Sequence, residues 1–134
     1  DSLTFSGLFT FLNTASGNYY IVAKHLNCIE TWSKAGGENL VADGSIYNYD
    51  FTTSASQAYG NNMKLKGSKY CLYSGDCNQD GVIDVLDFAI IDNDAYRFFT
   101  GRFLASDLNG DNLTDAADLT IIDNNRLYIG VIRP

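Results

Sequence analysis

Histidine and proline occur once each in the 134 residues, and the chain has no run of apolar residues long enough to span a membrane. Each scarcity excludes something. A lone His25 leaves the catalytic inventory thin, and with no close pair of cysteines it makes no tetrahedral zinc site. There is no Gly-x-Ser-x-Gly turn and no glycine-rich phosphate loop. Glu30 and Glu38 have the chemistry of a glycosidase pair, but nothing in the sequence places them together. The chain therefore reads as non-catalytic. It also lacks a basic stripe, which removes nucleic acid as a partner. It shows no signal peptide, and a start at Asp1 rather than methionine reads as a processed or trimmed product.

What is plentiful is acid, and it is unevenly placed. Residues 1–75 hold five acids and five lysines, whereas residues 76–134 hold eleven acids and four arginines. The net charge of −7 thus belongs to the second part. Three cysteines, Cys28, Cys71 and Cys77, leave one odd. A Cys28–Cys77 disulfide would tether the two parts of the chain. Three free thiols are the alternative, because spacing does not give connectivity.

The acids fall in a pattern. From Asp76 to Asp87, oxygen side chains stand at places one, three, five, nine and twelve, with glycine sixth. That is the spacing of a twelve-residue calcium loop. Calcium takes about 6–8 oxygens at roughly 2.3–2.6 Å, so a short loop must turn every second residue inward. The expected ligands are Asp76, Asn78, Asp80, the Val82 carbonyl, Asp84 and Asp87. The pattern recurs as Asp107, Asn109, Asp111, the Leu113 carbonyl, Asp115 and Asp118, with Asn112 at the glycine place. Asparagine tolerates positive φ better than most residues. Similarity continues beyond the loops, Phe88-Ala-Ile-Ile-Asp-Asn-Asp matching Leu119-Thr-Ile-Ile-Asp-Asn-Asn, which marks a duplicated unit. Two Ca2+ ions are expected. Eight of the eleven acids are then ligands, and low-affinity loops of this kind suit the calcium-rich, disulfide-permitting extracellular milieu.

From Tyr73 onward the chain resembles a dockerin domain, which pairs two such loops, each followed by a helix. The strand-like Tyr70-Cys-Leu-Tyr before the first loop and the aspartates at both twelfth places fit that form better than a full EF-hand. The resemblance implies a docking partner on another protein. Cellulosomal members, which dock cohesins, place contacts where this chain has the apolar pairs Val85-Leu86 and Ala116-Ala117. Helices are expected over Asp84–Tyr96 and Asp115–Leu127, with Leu86, Ile90, Ile91, Ala117, Ile121 and Ile122 facing inward.

Before residue 75 the signals are those of strands. Leu3–Asn13, Tyr19–His25, Asn27–Trp32, Ile46–Phe51, Met63–Lys69 and Tyr70–Tyr73 are rich in β-branched and aromatic residues or alternate in polarity. Short strands with turns between them predict an antiparallel β-sandwich. Gly7-Leu-Phe-Thr-Phe-Leu-Asn followed by Gly17-Asn-Tyr-Tyr-Ile-Val-Ala-Lys-His resembles the central strands of carboxypeptidase regulatory-like (Ig-like) surface domains, although the strand count is low for a closed sandwich. The expected class is mostly β with a small α part: a sandwich over residues 1–74 and a dockerin-like calcium-binding domain over 75–134.

Asp1-Ser2-Leu3 resembles an O-glycan acceptor of some secreted bacterial proteins, with Ser2 as the candidate. Asn112-Leu-Thr is an N-glycan sequon. The functional expectation is an extracellular or cell-surface, calcium-stabilised structural or adhesive module. In its sharpest form, copies join head-to-tail into a filament by strand addition, Leu3–Leu12 filling the next subunit's groove. The alternatives are a docking module for another surface protein, or a carbohydrate-binding module using Trp32 and exposed tyrosines.

Overall fold

The structure, a computed structural model, describes residues 7–125 and 130–134. Small β elements come first and two helices follow. The strands are β1 (Gly17–Tyr19), β2 (Val22–Ala23), β3 (Thr31–Trp32), β4 (Glu38–Leu40), β5 (Lys64–Lys66) and β6 (Lys69–Cys71). They pair antiparallel in three separate two-stranded ribbons, β1 with β4, β2 with β3 and β5 with β6. The helices are α1 (Val85–Tyr96) and α2 (Ala116–Asp123).

Mostly β with a small α part is what the sequence predicts; two packed sheets are not seen among the described residues. The reason lies in where the apolar residues go. Leu8, Phe9, Phe11 and Leu12 are at least three-quarters exposed, and residues 7–13 form no strand. Ile46 and Tyr47 are exposed as well, and 46–51 pairs with nothing as a strand. Tyr49 is instead held by its ring edge on Phe51 and by the Lys34 N–H, which donates to its hydroxyl at 3.0 Å. With these side chains outside, no two-layer core forms among the described residues. Much of what is buried here is polar, including Asn27, Thr31, Ser33 and Glu38. The Lys34 ammonium, at 3.0 Å, and the Tyr47 hydroxyl partner the Glu38 carboxylate.

The apolar core sits around the helices. Ile83, Ile91 and Ile122 are buried with Cys77, and Phe88, Leu119 and Val131 pack against them. Ile91 and Ile122 occupy equivalent places in the two repeats. The inward stripe predicted for the helices is therefore only partly right: Leu86 and Ala117 point outward. Ile29, from between β2 and β3, completes the core with no exposed surface. It arrives there because residues 27–29 run beside 73–75: the Ile29 N–H donates to the Tyr73 carbonyl at 2.8 Å and the Gly75 N–H to the Asn27 carbonyl at 2.7 Å. Gly75 has φ +134, and a β-carbon there would approach Ile83 Cγ2 to 3.0 Å, so the chain enters the first loop on a residue that must be glycine. The predicted helix end at Leu127 lies outside the described residues.

Candidate calcium centre

Each acidic loop folds around the carboxylate at its twelfth place. Asp87 is fully buried; its Oδ1 accepts the Cys77 and Asn78 N–H groups at 2.8 and 3.1 Å, and its Oδ2 the Asp84 N–H at 3.1 Å. Asp118 repeats this with Leu108, Asn109 and Asp115 at 2.7, 3.0 and 2.9 Å. Asp84 and Asp115 reciprocate by capping the helices, accepting from the Leu86 and Ala117 N–H groups at 2.8 and 2.7 Å. Both helices thus begin in a capping box. The third and fifth places form a chain of short turns: the Asn78 amide donates to Asp80 at 2.9 Å, and Asp80 accepts the Val82 N–H at 2.9 Å. Asn109, Asp111 and Leu113 do the same in the second loop. The sixth place needs positive φ in both loops, +90° at Gly81 and +70° at Asn112.

The result in the first loop is a group of oxygens facing one another. Carboxylate oxygens of Asp76, Asp80 and Asp87 lie within 4.8 Å of one another. Asp76 is buried, and its Oδ1 has no hydrogen-bond partner. Burial raises the Asp76 carboxyl above its usual range and the neighbouring Asp87 and Asp80 charges add to this, with the Gly81 N–H opposing. A cluster of acids with one buried oxygen unpaired is what a hard cation relieves. The all-oxygen donor set, with the Val82 carbonyl, fits calcium and no soft metal. The sequence model of the dockerin type I domain matches residues 74–127.

The second part of the chain carries a dockerin-like calcium-loop module. No curated protein and no solved structure matches the chain. The match begins at the bridge that joins Ser74 to Cys28.

The dockerin-like module is tied to the rest by residues that motif reading passes over. Gln79, at φ +60°, donates through its amide to the His25 and Leu26 carbonyls at 3.1 Å and to the Asp76 carbonyl at 3.0 Å. Asn27 is buried and donates to the Asp107 carbonyl at 2.9 Å. The Val131 N–H donates to the Gly81 carbonyl at 2.8 Å, so residues 130–134 strap the first loop. Only their distance in sequence hid these partners.

Other candidates fare differently. Cys28, Cys71 and Cys77 are free thiols, a correction to the expected Cys28–Cys77 bridge. The sulfurs face different partners: Cys77 donates to the Ala105 carbonyl at 3.2 Å, and Cys28 lies 3.5 Å from His25 Nδ1. Burial pushes the Cys77 thiol up to about 12 and that of Cys28 up to about 11. Trp32 donates its indole N–H to Glu30 at 2.6 Å and meets Tyr20 edge-on. Asn112 is exposed, whereas the sequon's Thr114 is buried against the Ser106 hydroxyl at 3.0 Å. Ser2 lies outside the described residues.

Proposed function

We propose that this chain is a non-catalytic, calcium-stabilised docking module of a secreted or cell-surface protein, with one Ca2+ in each loop. The match of residues 74–127 to the dockerin type I domain carries the reading. Asp76, Asn78, Asp80, Val82, Asp84 and Asp87 would hold one ion, and Asp107, Asn109, Asp111, Leu113, Asp115 and Asp118 the other. The metal would supply charge to a half of the chain that carries the whole net −7. Docking surfaces follow from exposure: Val85 and Leu86 stand open at the start of α1, and Ala116 and Ala117 at the equivalent place on α2. No described helix is long and apolar enough to cross a membrane.

Calorimetry with calcium chloride tests the metal, with two ions per chain expected. Binding to a type I cohesin, measured with calcium and again with chelator, tests docking; Leu86→Asp should abolish it. Absence of cohesin binding in saturating calcium would remove a cohesin as the docking partner.

A second reading rests on the exposed Leu8, Phe9, Phe11 and Leu12. An apolar segment with no strand partner is suited to adding to another copy, which gives filaments if the contact does not close. Sedimentation of the calcium-loaded chain as a monomer at high concentration removes this reading.

A further inference from the structure

The two loops share a ligand pattern but differ at their first residue, and we infer that the first loop is the tighter calcium site and fills before the second. The inference rests on the calcium reading above and adds an order to it. In the first loop, Asp76 is 3% exposed, its Oδ2 accepts the Gly81 N–H at 3.2 Å, and its Oδ1 accepts nothing. In the second, Asp107 is already engaged on both oxygens. Its Oδ1 accepts the Gly110 and Asp111 N–H groups at 2.7 and 3.2 Å, and its Oδ2 the Asn112 N–H at 2.8 Å.

A metal entering the first loop meets a buried oxygen with no bond to lose. A metal entering the second must compete with N–H donors for the lone pairs of Asp107, and hydrogen bonds to a charged acceptor are the stronger kind. The acids are also differently gathered. Asp76, Asp80 and Asp87 converge within 4.8 Å, and among the described residues no three acids of the second loop do so. Both loops are held from outside, the first by the Gln79 amide and the Val131 N–H, the second by the Asn27 amide on the Asp107 carbonyl and the Gly101 N–H on the Asn112 carbonyl at 3.0 Å, so the ranking rests on Asp76 and the gathered acids. The sixth place adds to the difference: Gly81 takes its φ of +90° freely, whereas Asn112 holds +70° with a side chain.

The test is a calcium titration of the full chain after stripping with EGTA, read by calorimetry and by amide NMR. Two phases are expected, separated by about tenfold or more in Kd, which is about 1.4 kcal/mol or more. The Gly81 amide signal should complete its change in the first phase and that of Gly110 in the second. Asp80→Ala should remove the tight phase and Asp111→Ala the weak one. Because the NMR readout uses the unmutated chain, it holds even where a variant fails to fold. Gly110 moving first, or both glycines moving together, overturns the ranking alone. No heat and no amide shift overturns the calcium reading itself and the ranking with it.

Discussion

At the scale of single residues, one apolar and one charged side chain join the two parts of the sequence. Ile29 is fully buried among Ile83, Ile91 and Ile122, although it comes from the strand-rich part. Ile29→Ala should lower the unfolding free energy by about 2–5 kcal/mol, measured by urea denaturation, because the cavity opens beneath two helices that cannot both follow. Glu30, next in sequence, is partly buried. The Lys24 ammonium at 2.8 Å, with the Trp32 indole and the Arg133 guanidinium, holds its carboxyl down to about 2 from an ordinary 4.5. A depressed carboxylate contributes stability that is fully present above its unfolded value and disappears as pH falls through its folded one. The stability gap between the native chain and Glu30→Gln should therefore be constant above about pH 5 and close as pH falls from 4.5 toward 2. Urea midpoints of both proteins across that range give the answer; a gap that persists unchanged at the acid end would contradict the assignment.

At the scale of elements, Asp84 and Asp115 cap the helices and, on the proposed reading, also ligate calcium, and a substitution can separate the two roles. Asp84 caps α1, its side chain accepting the Leu86 N–H. In chelator, Asp84→Asn should unfold near the native temperature, because asparagine caps as well as aspartate, while Asp84→Ala should lose about 1 kcal/mol. In calcium the two should differ less from each other than each does from the native chain. The loop spacing and the helix after it were legible in the sequence because both are local; the caps at Asp84 and Asp115 went unread, the helices being expected to begin at those residues rather than after them. The sandwich expectation fared less well for the opposite reason. Alternation in Leu8–Leu12 and in Ile46–Phe51 says only that a segment is fit to pair, and pairing requires a partner strand elsewhere. Here Leu8–Leu12 with Ile46 and Tyr47 present their apolar surface to solvent, and the ribbons that form are two or three residues long. Gln79 and Asn27 were invisible for the same reason, since their acceptors are far away in sequence.

At the scale of the whole molecule, contacts run from both acidic loops to the part of the chain that carries the ribbons. The first loop reaches residues 25 and 26 through Gln79, the second is held by Asn27, and Ile29 lies in the helical core. Residues 130–134 close the circuit: Gly130 accepts from the Asn62 amide at 3.1 Å, Val131 donates to Gly81, and Arg133 pairs with Glu30 at 3.0 Å. A ligand that binds only the folded state stabilises it by about 2.7 kcal/mol when present at a hundred times its Kd. If the loops and the ribbons share one cooperative unit, that stabilisation must reach both. Two probes separate the possibilities: Trp32 fluorescence reports the β2–β3 ribbon, and far-UV ellipticity reports α1 and α2. Calcium should raise both thermal midpoints together, and the two curves should coincide, as they do for a two-state domain. Chelator should lower both by the same amount. A Trp32 transition that ignores calcium while the helical transition moves would mean that the contacts across residues 25–29 are too weak to couple the parts. Asn27→Ala, which deletes the buried bond to Asp107, should move the intact chain toward that uncoupled behaviour, splitting the two curves in calcium.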